Sequence, residues 1–256
     1  MAKRSPLAER LDAIRERIAT ACAKVKRDAS EVTLVAVTKT AGPEQIREIL
    51  SLGVTDLGES RAQNLAQRAG QISEFLQRRT THGDGSANPK VRWHMMGHLQ
   101  RNKVKPIVPF IHLVHSVDSL RLAEEIDAQA QKLGRKVAVL MQVNTSEETQ
   151  KFGVAVGAAV HLAEQIDSMP NVQLIGLMAM GALDAPEAEV RHVFARTREI
   201  FDELKWHKIG GAGFKQLSMG MSGDFEQAIL EGSTMVRIGT ALFGGKAEDS
   251  EAQEEG

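Results

Sequence analysis

Between residues 32 and 244, short apolar runs alternate with longer amphipathic segments, and few folds accommodate that rhythm. Eight runs stand out: Thr33 to Val37, Val54 to Leu57, Trp93 to Met96, Leu113 to Ser116, Val137 to Val143, Leu174 to Met178, Gln216 to Met219 and Met235 to Ile238. Strand-length runs separated by helix-length segments predict parallel strands joined by crossover helices. Several runs lack polar alternation, as strands covered on both faces should. Helix starts carry their own chemistry: Pro43 with Glu44 in a first turn, and Ser60 with Gln63 as a capping box. Periodicity predicts helices over 7–27, 119–133, 156–168 and 186–204, with short ones after Gly97 and Gly223.

Eight such units predict an α/β protein built as a single (β/α)8 TIM-type barrel over residues 1–245. The competing arrangement, an open doubly wound sheet, ordinarily has a glycine fingerprint at its first strand-to-helix turn, and Thr38 to Gly42 has none. With 256 residues, 42% of them apolar and 25% charged, the chain can bury one core of that size. Two stretches fall outside the rhythm. Residues 80–91 read as a polar surface loop before the third run, and the acidic residues 246–256 cannot bury a core and are expected to be disordered.

A net charge of -1 and 4% aromatic residues give neither the basic footprint nor the stacking platforms of a nucleic-acid binder. No uncharged apolar stretch reaches membrane-spanning length, so no membrane association is expected. Cys22 is the only cysteine, which excludes an internal disulfide and a thiolate metal cage and suits the cytoplasm.

Functional groups of such barrels sit at the C-terminal ends of strands. Lys39 directly follows the apolar TLVAVT. A lysine there ordinarily points to solvent; turned inward, it would lose its proton more readily and offer a neutral amine to an aldehyde. Arg237 lies within the apolar MVRIG, where a guanidinium must reach solvent, a structural carboxylate or a ligand acceptor. A pyridine nitrogen would serve as that acceptor and would be kept unprotonated. The small-residue loops SMGMSG at 218–223 and GTALFGG at 239–245 follow the last two strands, a frequent phosphate site of these barrels. Ser218, Gly239 and Thr240 are the expected contacts, with Ser222 also placed to cap a short helix starting near Asp224. His94 and His98 have the spacing of a helical zinc pair, but Gly97 and the strand pattern keep them off one helix face, and no metal is expected.

These residues, together with LGES at 57–60, WHMMGHLQRNK at 93–103, HSVDS at 115–119, QVNTSEETQKFG at 142–153, LSMGMSGDFEQAI at 217–229 and EGSTMVRIGTALFG at 231–244, resemble the pyridoxal phosphate homeostasis protein family. The similarity runs from about residue 8 to 245, and the family's fold is similar to the barrel domain of alanine racemase. The resemblance implies that pyridoxal 5′-phosphate (PLP) is held as a Schiff base on Lys39. It also implies that Arg237 faces the pyridine nitrogen and that Ser218, Gly239 and Thr240 hold the phosphate; Ser222, in the same loop, is counted with the cofactor-binding residues by its position. Ser60 stands where family members commonly have asparagine, leaving a ring-side contact there open.

The implied role is intracellular vitamin B6 homeostasis, with delivery to PLP-dependent apoenzymes; with no second domain expected to close the site, the chain is expected to act as a monomer. The alternatives are a racemase-like PLP enzyme and a Schiff-base aldolase. Alanine-type racemases take their second base, a tyrosine, from another domain; this chain has no tyrosine and no sequence for such a domain. The expectation is therefore a carrier without catalytic residues.

Overall fold

The first strand, β1, covers Thr33–Val37, with the bounds its sequence predicts. In the computed structural model, which describes residues 4–82, 88–146, 148, 150–182 and 185–244, seven further main strands follow. They are β2 (Asp56–Glu59), β3 (Arg92–Met95), β4 (Ile111–Val117), β5 (Val137–Asn144), β7 (Val172–Met178), β8 (Gln216–Ser218) and β9 (Met235–Ile238). Between β5 and β7 lies β6 (Val154–Ala155), a two-residue strand pairing with the end of β5. Every pairing is parallel, and contacts β1–β9 and β4–β5 close the sheet on itself. The predicted eight-stranded barrel is therefore the fold. The acidic residues 246–256 and residues 83–87 of the predicted 80–91 loop lie outside the described residues, and residues 80–82, expected in that loop, instead end a helix that runs to His82.

Helices α1 (Pro6–Lys24), α2 (Pro43–Ser51), α3 (Ala62–His82), α4 (Leu120–Lys132), α5 (Ala159–Asp167), α6 (Glu187–Trp206), α7 (Phe225–Leu230) and α8 (Thr240–Phe243) ring the barrel. Pro43 opens α2, as expected, and the Gln45 side chain accepts from the Gly42 N–H at 3.0 Å. Two sequence readings need correction. Helix α1 ends at Lys24 rather than 27, because Lys26 turns left-handed (φ 55°) and the N–H groups of Lys26 and Arg27 close back on Ala23 and Cys22. Ser60 is not the cap of α3: the Arg61 carbonyl accepts the first helical bond, from Leu65 N–H, which leaves Ser60 one residue outside.

Two apolar layers hold these parts. Strand residues such as Ala36, Leu57, Met95, Val139 and Leu177 pack outward under the helices, while Leu113, Leu140, Met178 and Met235 form a small plug inside the barrel. Since α8 is a single turn, α1 packs against both α7 and α8 and completes the outer ring there. Arg10 donates to the Leu242 carbonyl (2.7 Å) and Arg17 makes a two-pronged ion pair with Glu226, fastening α1 over that end. Of the two tryptophans, Trp93 is 4% exposed on β3 and Trp206 is 79% exposed at the end of α6.

Candidate functional site

Strand parity decides which side chains enter the barrel. On β1 a β-carbon added at Gly58 would meet Val35, and one added at Gly239 would meet Val37, so Val35 and Val37 face the neighbouring strands' inner positions. Lys39 shares their parity two residues further on, in the turn that closes with Ala41 N–H donating to the Thr38 carbonyl at 2.9 Å. It is exposed at the mouth.

The backbone of that turn is held from outside the barrel. Arg68 of α3 donates to the Thr38 and Lys39 carbonyls and pairs with the fully buried Glu59 at 2.9 Å. The Thr38 hydroxyl donates to Glu59 as well. Burial pushes the Glu59 carboxyl above its ordinary value, against the pull of Thr38 and Arg68. Sequence reading passed over Arg68 because it lies in the middle of an amphipathic helix. Close approach also shapes the mouth: a β-carbon at Gly97 would lie 2.2 Å from the Ser60 carbonyl oxygen, so the loops after β2 and β3 touch backbone to backbone.

Arg237 is 5% exposed inside the barrel. One guanidinium nitrogen donates to the Ser218 hydroxyl (2.8 Å) and carbonyl (2.9 Å), and the other to the Ala179 carbonyl (3.1 Å). These three contacts are to neutral oxygens and fix the plane and direction of the guanidinium. Ser218 is fully buried, and its hydroxyl also meets His115 Nδ1 at 3.0 Å. A hydroxyl engaged on both sides fits an anchor for Arg237 better than the phosphate contact expected of it.

The phosphate-type loops come together at the ends of β8 and β9. The Ser222 hydroxyl accepts from the N–H groups of Gly239 and Ala241, both at 3.3 Å. It therefore does not cap α7, whose first bond is accepted by the Asp224 carbonyl; it sits at the start of α8. Gly220 makes the turn possible, with φ 90° and its α-carbon so close to α7 that a β-carbon would lie 2.7 Å from both Ala228 Cβ and Phe225 Cα. Thr240 begins α8 beside Gly239. The structure thus gathers Ser222, Gly239 and Thr240 at one rim, Arg237 with Ser218 deeper inside, and Lys39 and Ser60 at the mouth after β1 and β2.

The sequence gives no sign that the polar groups beneath Arg237 meet one another. Asp56, His94 and His115 are all buried in the barrel, with Asp56 held by Arg92. His94 meets Asp56 and His115 and not the His98 suggested by spacing; His98 stacks on Phe152 instead. Among the described residues no group of three His, Cys, Asp or Glu side chains could hold a metal ion.

A closed parallel barrel with a lysine after β1 and a buried arginine on its last strand defines a class, and residues 4–247 match the family described as alanine racemase, N-terminal domain. Within it, the chain is 40% identical to the pyridoxal phosphate homeostasis protein of Aquifex aeolicus, over 92% of this chain and 96% of that protein. It is 36% identical to the one from Pseudomonas aeruginosa, over 94% and 96% respectively. The chain belongs to the pyridoxal phosphate homeostasis protein family. Among solved structures, PipY of Synechococcus elongatus with PLP bound superposes with a TM-score of 0.77 at 31% identity, covering 93% of this chain and all of that one. An alanine racemase of Clostridium difficile 630 shares the fold alone, with a TM-score of 0.68 at 16% identity; the chain spans 57% of its length.

Proposed function

We propose that this protein holds PLP as a Schiff base on Lys39 and serves as a vitamin B6 carrier. The observation that carries the reading is Arg237: a buried, permanently charged donor, fixed by Ser218 and Ala179, on the strand whose end forms the small-residue rim. PLP would supply an electrophilic aldehyde and a ring able to withdraw electrons; the chain's residues restrain both properties. Lys39 offers the amine at the open mouth. Arg237, which does not give up its proton, donates toward the ring nitrogen and keeps it an acceptor. The N–H groups of Gly239 and Ala241 already converge on the Ser222 hydroxyl, and with Thr240 between them they form the rim that would receive the anion. Ser218 supports Arg237 from behind, and Ser60, in the loop packed on Gly97, borders the ring side.

The test is optical. Purified protein incubated with PLP should develop a visible absorption band that Lys39→Ala abolishes and that borohydride bleaches while leaving the cofactor covalently attached. A protein left colourless by PLP, or a band unchanged in Lys39→Ala, refutes the reading. The racemase-like alternative predicts that the loaded protein interconverts amino-acid enantiomers at a useful rate, where a carrier does not. We further propose action as a cytoplasmic monomer that hands PLP to apoenzymes. Its single, buried Cys22 supports a reducing compartment. Sedimentation of the loaded protein and transfer to a PLP-requiring apoenzyme in dialysis-free mixtures test these two points.

A further inference from the structure

Behind Arg237 runs a file of polar side chains from four strands that PLP binding at the mouth does not itself require. The Ser218 hydroxyl (β8) lies 3.0 Å from His115 Nδ1 (β4), His115 Nε2 lies 2.8 Å from His94 Nδ1 (β3), and His94 Nε2 lies 3.1 Å from Asp56 Oδ1 (β2). Arg92 grips Asp56 in turn, with Nε at 2.6 Å. Ser218, His94 and His115 are fully buried, in a barrel otherwise plugged by Leu113, Leu140, Met178 and Met235. Polar groups in such surroundings are tolerated when each donor meets an acceptor.

With both imidazoles neutral, one proton order does this. Ionised Asp56 only accepts, so His94 carries its proton on Nε2, leaving Nδ1 as an acceptor. His115 must then carry its proton on Nε2 and leave Nδ1 bare. The Ser218 hydroxyl donates to that Nδ1 and, through its lone pairs, accepts from Arg237. Every bond therefore points the same way, from Arg237 to Asp56. Burial holds both imidazoles below the ordinary histidine range, His115 well below it, which agrees with the neutral assignment.

We infer that His94 and His115 are positioning residues for Arg237: their fixed tautomers orient the Ser218 hydroxyl, and that hydroxyl sets the guanidinium that the cofactor ring meets. The inference rests on the PLP reading above. It explains why a carrier would keep two histidines in an apolar plug. A rotating Ser218 hydroxyl would present its own proton to Arg237 and push the guanidinium out of line. The file also ends on a carboxylate already committed to Arg92, so it orients without supplying the ring with a proton.

Nitrogen-15 NMR of the full-length protein at pH 7 reads the first half directly. Both histidines should show protonated Nε2 and bare Nδ1; a bare Nε2 on either, or an imidazolium, overturns the assignment. The second half is read by PLP titration, followed through the visible band. Ser218→Ala and His115→Phe should each weaken PLP binding by about tenfold or more, the scale on which outer-shell partners act. In an Arg237→Ala background, His115→Phe should add less than about twofold, because the effect passes through Arg237. Equal losses in both backgrounds, or full affinity in Ser218→Ala, would overturn the inference. Failure of the unaltered protein to take up PLP would instead refute the cofactor reading, while the NMR result would still decide the proton order.

Discussion

Two carboxylates one strand-end apart, Asp56 and Glu59, titrate in opposite directions, and the reason is local. Burial by itself raises both, but Asp56 meets two cationic or donating side chains, Arg92 and His94, which bring it from the ordinary 3.8 to about 2. Glu59 keeps one buried oxygen without a hydrogen-bond partner, and burial prevails. Asp56 thus titrates lower folded than unfolded. Its stabilisation is complete above the unfolded value near 4 and is lost as pH falls toward 2, amounting to roughly 2 kcal/mol. Urea midpoints should therefore fall more steeply for the native protein than for Asp56→Asn between pH 5 and 2; parallel curves would refute the assignment. The buried histidines add to the acid limb from a higher pH, since neutral imidazoles must take up protons on unfolding below about 6.5.

At the level of elements, the loop from β8 to α7 concentrates the geometric demands of the site. Gly220→Ala would have to hold φ 90° with a methyl group against Ala228 and Phe225. We expect a loss of about 1–3 kcal/mol from the backbone alone, together with weakened PLP uptake. A variant as stable as the parent in denaturant titration would contradict the stated crowding. The same loops show why part of the candidate site was legible in the sequence: Lys39, Ser222, Gly239 and Thr240, as proposed members of it, follow from strand ends and loop position in a barrel. Apolar residues alone predict strand β2 over Val54 to Leu57. The strand is Asp56–Glu59, its two buried acids accommodated by Arg92, His94, Thr38 and Arg68 from other elements. His115 was likewise out of reach, because its approach to His94 follows a register shift between β3 and β4 at Trp93/His94 that no spacing rule encodes. The short β6 is set by side chains at the end of β5, Gln142 donating to the Phe152 carbonyl and Asn144 to that of Lys151.

For the molecule as a whole, the single turn of α8 makes α1 part of the barrel's wall. Leu11, 1% exposed, lies in the core beneath it. Leu11→Ala should cost about 2–5 kcal/mol, the range for a buried leucine truncation. Because Arg10 and Arg17 tie α1 to α8 and α7, the same variant should weaken phosphate retention and speed PLP release, measured as loss of the visible band on dilution. Unchanged release at reduced stability would show that the rim stands without α1.

The two tryptophans have a consequence for observing the protein at work. With no tyrosine in the chain, near-ultraviolet emission belongs to Trp93 and Trp206 alone, one enclosed behind β3 and one almost fully in water. Their emission should separate into a blue component and a red component, the red one removed by Trp206→Phe. If the cofactor is held on Lys39 as proposed, a chromophore there absorbing where they emit should dim the remainder, so its loading and unloading can be timed without any added label.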